Sequence, residues 1–170
     1  MERAGAITFK GGPLTLVGNP TNTGDAAPDF SAVGAGLSEV KLSDFAGQVV
    51  VISSVPSLDT PVCQVQTKRF NEEAAGLDAK ILTISVDLPF AQSRFCETFS
   101  TGNVTTISDY KDHEFGQAYG LYIKELGLLA RAVIVVGKNG NITYQELVGE
   151  ATDEPDYDAA LSAAREASAS

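Results

Sequence analysis

Short β-branched runs alternate along the chain with longer, weakly amphipathic stretches. Residues 49–55 are apolar or small, the pattern of a strand covered on both faces. Pro56 ends it, and a polar loop leads into a helix over 61 to about 75. That helix is only moderately amphipathic: Cys63, Phe70 and Ala74 share one line, and Arg69 and Glu73 interrupt it. KILTISV at 80–86 reads as a second strand of parallel-sheet character. Asp87 is placed to cap a helix over Pro89 to Phe99, and Val104 to Ile107 form a short strand. Phe115 to Tyr119 read as a short helix ended by Gly120, and 121–129 as loop. Ala132 to Val136 and Ile142 to Leu147 pair as a hairpin through Lys138-Asn139-Gly140-Asn141, whose Asn-Gly is a strong turn signal. A last helix runs from Pro155 to about Ala167, carrying Tyr157, Ala160, Leu161 and Ala164 on one side, and the final three residues fray.

At the other end, Ile7 to Lys10 and Leu14 to Val17 read as a hairpin turned by Gly11-Gly12, glycine supplying the positive φ. Residues 18–36 read as a long surface connection. Val40 to Leu42 follow as a short strand, then a turn at 44–47. The order hairpin, β-α-β-α-β, hairpin, helix predicts an α/β fold, a mixed sheet with helices on both faces. No repeat or linker divides 1–170, so one domain is expected.

The length of 170 residues, with 44% hydrophobic and 20% charged residues, suits a globular chain with a sizeable core. A formal net charge of −10 argues against nucleic acid and against anionic membrane surfaces as partners. No run reaches the 18 or so apolar residues that span a bilayer. The first residues lack a secretory h-region, which gives a cytoplasmic expectation. Two cysteines are too few for a disulfide scaffold, and one histidine, His113, leaves no structural zinc motif.

The chemistry centres on Cys63. Asp59 and Thr60 are good N-cap residues and Pro61 suits the first helical position. Cys63 then lies beside backbone N–H groups without intrahelical acceptors, at the positive end of the helix dipole. A thiolate is favoured there. The competing reading is a small buried hydrophobe. A thiol that attacks a peroxide also needs a hydroxyl to position the oxygen, a cation to hold charge, and a route back from sulfenic acid. Thr60, one turn before Cys63, supplies a hydroxyl. Pro56 can shield the sulfur from water. Arg131, at the mouth of the 132–136 strand, supplies a cation that needs a partner there. Simple capping by Thr60, and a surface or carboxylate-paired Arg131, remain the alternatives. His113 reads as a loop or surface residue and Asp59 as a cap.

The run from Pro56 through Thr60 to Cys63 matches the P-x-x-x-T-x-x-C signature of the peroxiredoxins. DLPFAQSRFC at 87–96, ARAVIVV at 130–136, EPDYDAAL at 154–161 and the hairpin ITFKGGPLTLVGN resemble the thiol peroxidases, the atypical 2-Cys branch of that family. The resemblance implies a thioredoxin-like fold with an added N-terminal β-hairpin. It implies that Cys63 is the peroxidatic and Cys96 the resolving cysteine, and that Thr60, Pro56 and Arg131 complete the active site. Implied partners are hydrogen peroxide or alkyl hydroperoxides, thioredoxin as reductant, and a second copy in a homodimer, with no metal, haem or flavin cofactor. The tail after about Arg165 departs from the pattern. A disulfide needs Cα atoms within roughly 4.4 to 6.8 Å, so two helical cysteines imply unwinding near 57–67, 90–102 or both on oxidation. The alternative use of the same pair is a peroxide-sensing switch that signals to a partner protein. A thioredoxin-type reductase is disfavoured because no C-x-x-C pair is present.

Overall fold

The computed structural model describes all residues, Met1–Ser170. In chain order the strands and helices are β1 (Glu2–Phe9), β2 (Gly12–Val17), β3 (Ser31–Val33), β4 (Glu39–Lys41), β5 (Val50–Ser54), α1 (Pro61–Ala74), β6 (Lys80–Ser85), α2 (Pro89–Phe99), β7 (Thr105–Ser108), α3 (Glu114–Tyr119), β8 (Tyr122–Ile123), β9 (Leu128–Leu129), β10 (Ala132–Val136), β11 (Ile142–Leu147) and α4 (Tyr157–Ser168).

The main sheet has seven strands in the order β11-β10-β5-β6-β7-β3-β4, with β5, β6 and β7 parallel and the remaining pairs antiparallel. Its central strands are apolar on both sides because both are covered. Val49, Val51, Ile81, Val133 and Val135 pack with Phe70 of α1 and Ala160, Leu161 and Ala164 of α4. Val50, Ile52, Leu82, Ile84 and Ile134 pack on the other side with Phe115 and Tyr119 of α3 and with Ile7, Leu14, Leu16 and Ile123. Each fully buried Val, Leu, Ile or Phe is worth about 1.5–3 kcal/mol. That outweighs the weak helical pattern of α1, whose buried face includes the polar Gln66 and Thr67.

The predicted mixed sheet with helices on both faces is present, and the differences are local. Residues 121–129 are not plain loop: β8 and β9 pair across a turn with Gly127 at φ +67°, and β8 extends the β1-β2 hairpin into a four-stranded antiparallel sheet. The apolar side chains of 121–129 are what seal the sheet. The 18–36 connection contains β3, because Phe30 is buried edge-on against Phe115, ring centroids 5.0 Å apart. In the first hairpin, Phe9 pairs with Gly12, so the positive-φ turn residues are Lys10 and Gly11 rather than the two glycines. Asp87 does not cap α2. The N-cap is Leu88, and the Asp87 carboxylate instead accepts from the Ser57 hydroxyl (2.7 Å), the Leu58 amide (2.7 Å) and the Ser85 hydroxyl (2.8 Å). α4 starts at Tyr157, after Asp156 caps it through the Ala159 amide, and runs on to Ser168. No helix is long and apolar enough to cross a membrane.

The hairpin is tied to the segment after β11. The Thr8 amide donates to the Gly149 carbonyl and the Ala151 amide to the Thr8 carbonyl, each 2.8 Å. Glu150 accepts from the Gly11 amide, the Thr8 hydroxyl, and the amide and hydroxyl of Thr152. These donors, the Gly11 amide first, hold its carboxyl down at about 2. A depressed folded value stabilises the fold above the ordinary carboxylate range, near 4.3, and that contribution is lost as pH falls towards about 2. Thermal melts across this acid range are expected to show a shallower fall in Tm for Glu150→Gln than for the wild type; identical slopes would show that the clamp carries no linkage.

Candidate active site

β5 delivers the chain to Pro56 at the C-terminal edge of the parallel strands. Ser57, Leu58 and Asp87 then fix the loop, and Thr60, in extended conformation, is the N-cap of α1 with Pro61 next. The Thr60 side chain does not cap: its hydroxyl donates to the Ser57 carbonyl at 2.8 Å. Its hydrogen is thereby committed, and the oxygen is left to act as an acceptor. Asp59 is exposed, and its amide donates to the Ser57 hydroxyl. With no side-chain cap, the amides of Val62 and Cys63 in the first turn have no intrahelical acceptor.

Cys63 is fully buried, packed with Val55, Leu58 and Phe95. The Ala132–Ser54 pair ends the β10–β5 ladder, and Arg131 is one residue beyond it. This register brings its guanidinium to the sulfur: Nη1 donates to Cys63 Sγ at 3.3 Å and to Gln66 Oε1 at 3.0 Å. The Ala151 carbonyl accepts Nε at 3.1 Å and Nη2 at 2.8 Å. Arg131 is only 2% exposed, so its alternatives as a surface or carboxylate-paired residue fall away. Four of the five N–H donors of a guanidinium are used, and one on Nη2 is left.

Gln66 was not singled out by the sequence. It is on the same side of α1, three residues after Cys63, and its amide donates to the Ser53 hydroxyl at 2.7 Å. In the structure it is fully buried on the sheet-facing side of the helix and so needs hydrogen-bond partners, a burial the sequence alone did not reveal. The role of the Ala151 carbonyl, a backbone atom, had no sequence signal.

An apolar cavity of about 410 Å³ shares the Arg131 wall with this site. Pro56 and Thr60 bound it on one side and Phe9, Ile123, Leu126 and Leu128 on the other. The structure thus gathers Cys63 and Arg131 in direct contact, with Pro56 and Thr60 at the adjoining cavity. It does not bring Cys96 to Cys63. Cys96 Sγ is 3.7 Å from Thr106 Oγ1 on β7, the neighbouring Phe95 occupies the Cys63 side, and both thiols are free. His113 is a half-buried loop residue beside Tyr122, ring centroids 5.0 Å apart, away from this cluster. Burial, and then the bond to Glu154, push the Tyr157 phenol well above its ordinary value. No three His, Cys, Asp or Glu side chains gather as metal ligands. Chemically, a buried sulfur with a guanidinium donor and an adjoining apolar cavity suits nucleophilic attack on a small electrophile with an apolar tail.

Residues 22–161 match the family model for Redoxin. The chain is 54% identical to a thiol peroxidase of Halalkalibacterium halodurans, over 95% of this chain and 98% of the relative. It is 53% identical to a thiol peroxidase of Bacillus subtilis, over 94% and 96%. Among solved structures, a peroxiredoxin-like protein from Aquifex aeolicus superposes with a TM-score of 0.89 at 43% identity, covering 96% of both chains. The fold is accordingly thioredoxin-like, with the small antiparallel sheet as its addition.

Replacing Gln66 by Leu leaves a guanidinium N–H and the Ser53 hydroxyl unpaired in the interior. Urea unfolding is expected to report a loss of about 1–3 kcal/mol; an unchanged midpoint would mean that the network contributes nothing to stability.

Proposed function

From the premise that this chain belongs to the Redoxin family and, within it, to the thiol peroxidases, we propose that it reduces hydrogen peroxide and organic hydroperoxides with Cys63. The observation that carries this reading is the buried Cys63 sulfur 3.3 Å from the Arg131 guanidinium, beside an apolar cavity. A guanidinium donor beside the sulfur is the arrangement that suits a nucleophile of this kind. The thiolate attacks the distal peroxide oxygen and the O–O bond breaks. The leaving oxygen departs as alkoxide or hydroxide, takes up a proton, and Cys63 becomes a sulfenic acid. The free Nη2 donor of Arg131 and the first-turn amides of α1 stabilise the charge that develops on oxygen. Thr60, whose hydroxyl hydrogen is held by Ser57, accepts from the peroxide and orients it. Pro56 closes the near side of the cavity against water.

The return route uses Cys96 of the same chain. Its thiol condenses with the sulfenic acid, water leaves, and a Cys63–Cys96 disulfide forms. Thioredoxin then reduces the pair, as suits a cytoplasmic protein working as a homodimer. Phe95 fills the Cys63 side while Cys96 faces Thr106. Disulfide formation therefore requires α2 to rotate or unwind around 90–102, the first turn of α1 to open, or both. The cavity walls suit an organic tail: Phe9 and Leu126 are each 44% exposed, an apolar rim that water would otherwise cover.

Stopped-flow kinetics test this directly. Wild type with thioredoxin should consume peroxide continuously, Cys63→Ser should consume none, and Cys96→Ser should react once and then stall or overoxidise. Continued turnover by Cys63→Ser would overturn the assignment. Phe9→Ser with Leu126→Ser should slow an aryl hydroperoxide several-fold, about one lost apolar contact each, and leave hydrogen peroxide unaffected. Equal slowing of both would remove the cavity from substrate binding.

A further inference from the structure

The N-terminal hairpin reaches the reactive sulfur through a continuous set of bonds. β1 ends alongside 149–151, with Thr8 bridged to Glu150 in parallel register. The Thr8 amide and carbonyl are bonded to Gly149 and Ala151 respectively. One Glu150 oxygen takes the Gly11 amide and the Thr8 hydroxyl, each at 2.9 Å; the other takes the Thr152 amide and hydroxyl, each at 2.8 Å. Between the two residues so fixed, Ala151 turns its carbonyl onto Nε and Nη2 of Arg131.

We propose that Glu150 is a positioning residue for the peroxidase reaction: its carboxylate locks the tip of the hairpin to 149–152 and thereby fixes the carbonyl that aims Arg131 at Cys63. This rests on the peroxidase reading above. Glu150 does not bond the sulfur and does not itself line the cavity; its carboxylate reaches the cavity wall only through Thr152. Its action is geometric. The Gln66 bond holds Nη1 alone, which leaves the guanidinium plane free to swing. The fork on Ala151 removes that freedom only while the 149–152 segment is held. The last ladder bond before that segment is from the Val148 amide to the Arg131 carbonyl, so 149–152 depends on the hairpin for its place. A shift of an ångström in a charge-stabilising group costs up to about a hundredfold in rate.

A double-mutant cycle separates this role from general support of the fold. Hydrogen peroxide, too small to use the apolar walls, is the substrate in single-turnover stopped flow. The proteins are wild type, Glu150→Ala, Arg131→Met, the double variant and Glu150→Gln. Glu150→Ala is expected to slow Cys63 oxidation by about 10- to 100-fold. The double variant is expected to be no slower than Arg131→Met, because the effect passes through Arg131. Glu150→Gln, which keeps an acceptor oxygen, is expected to recover part of the rate. An unchanged rate in Glu150→Ala, or a loss that adds in full to that of Arg131→Met, overturns the inference. Should Glu150→Ala fail to fold, Glu150→Gln takes its place in the cycle, with the same non-additivity expected and full additivity or an unchanged rate decisive against. A wild type that leaves peroxide intact would sink the functional reading first. A wild type slowed by Arg131→Met and indifferent to Glu150 would sink this inference alone.

Discussion

A guanidinium buried to 2% exposure beside a fully buried thiol is the constraint around which the site is arranged. Stripping water from a charge is costly unless partners replace it. Here they are a glutamine side chain, one backbone carbonyl taken twice, and a sulfur. Neither of the first two is anionic, so no carboxylate is among the partners that replace water around Arg131. The contact places a guanidinium donor 3.3 Å from the sulfur, on the side from which the cavity is reached through Arg131.

The fold brings this about with backbone register more than with loops. The antiparallel β10–β5 pairing sets Arg131 against the end of β5, where the chain turns at Pro56. Asp87, at the end of the next parallel strand, holds Ser57 and Leu58 and so keeps the turn close to β6. The helix that follows begins uncapped by any side chain, which leaves its first amides open beside the sulfur. The small sheet, far from being decoration, supplies both the outer cavity wall and the clamp behind Ala151.

Much of this was legible in the chain. β5, β6 and β10 announce themselves because both sheet faces are covered, which removes polar alternation. Cys63 and its helix start follow from a proline and cap residues in sequence. Local chemistry misled where a side chain had two possible partners. Asp87 sits where a helix cap belongs yet serves the Pro56 loop, and Thr60 sits at the cap yet bonds backward to Ser57. Residues 121–129 and 30–33 looked like loop because strands of two or three residues carry no period. Only tertiary contacts, such as Phe30 on Phe115, make them strands. The Ala151 carbonyl is invisible to any reading of side chains, and Gln66 becomes meaningful only once Arg131 is beside it.

The pairing of sulfur and guanidinium is tested most directly by the pH dependence of hydrogen peroxide reduction at Cys63, from mildly acid to mildly alkaline solution, in wild type and Arg131→Met. If the cation holds the sulfur ionised, the wild-type rate stays level through neutrality, while the variant's rate is low and climbs with pH as the thiol is forced to ionise. Two parallel curves, both climbing, would contradict the account, for the guanidinium would then leave the charge of the sulfur unchanged.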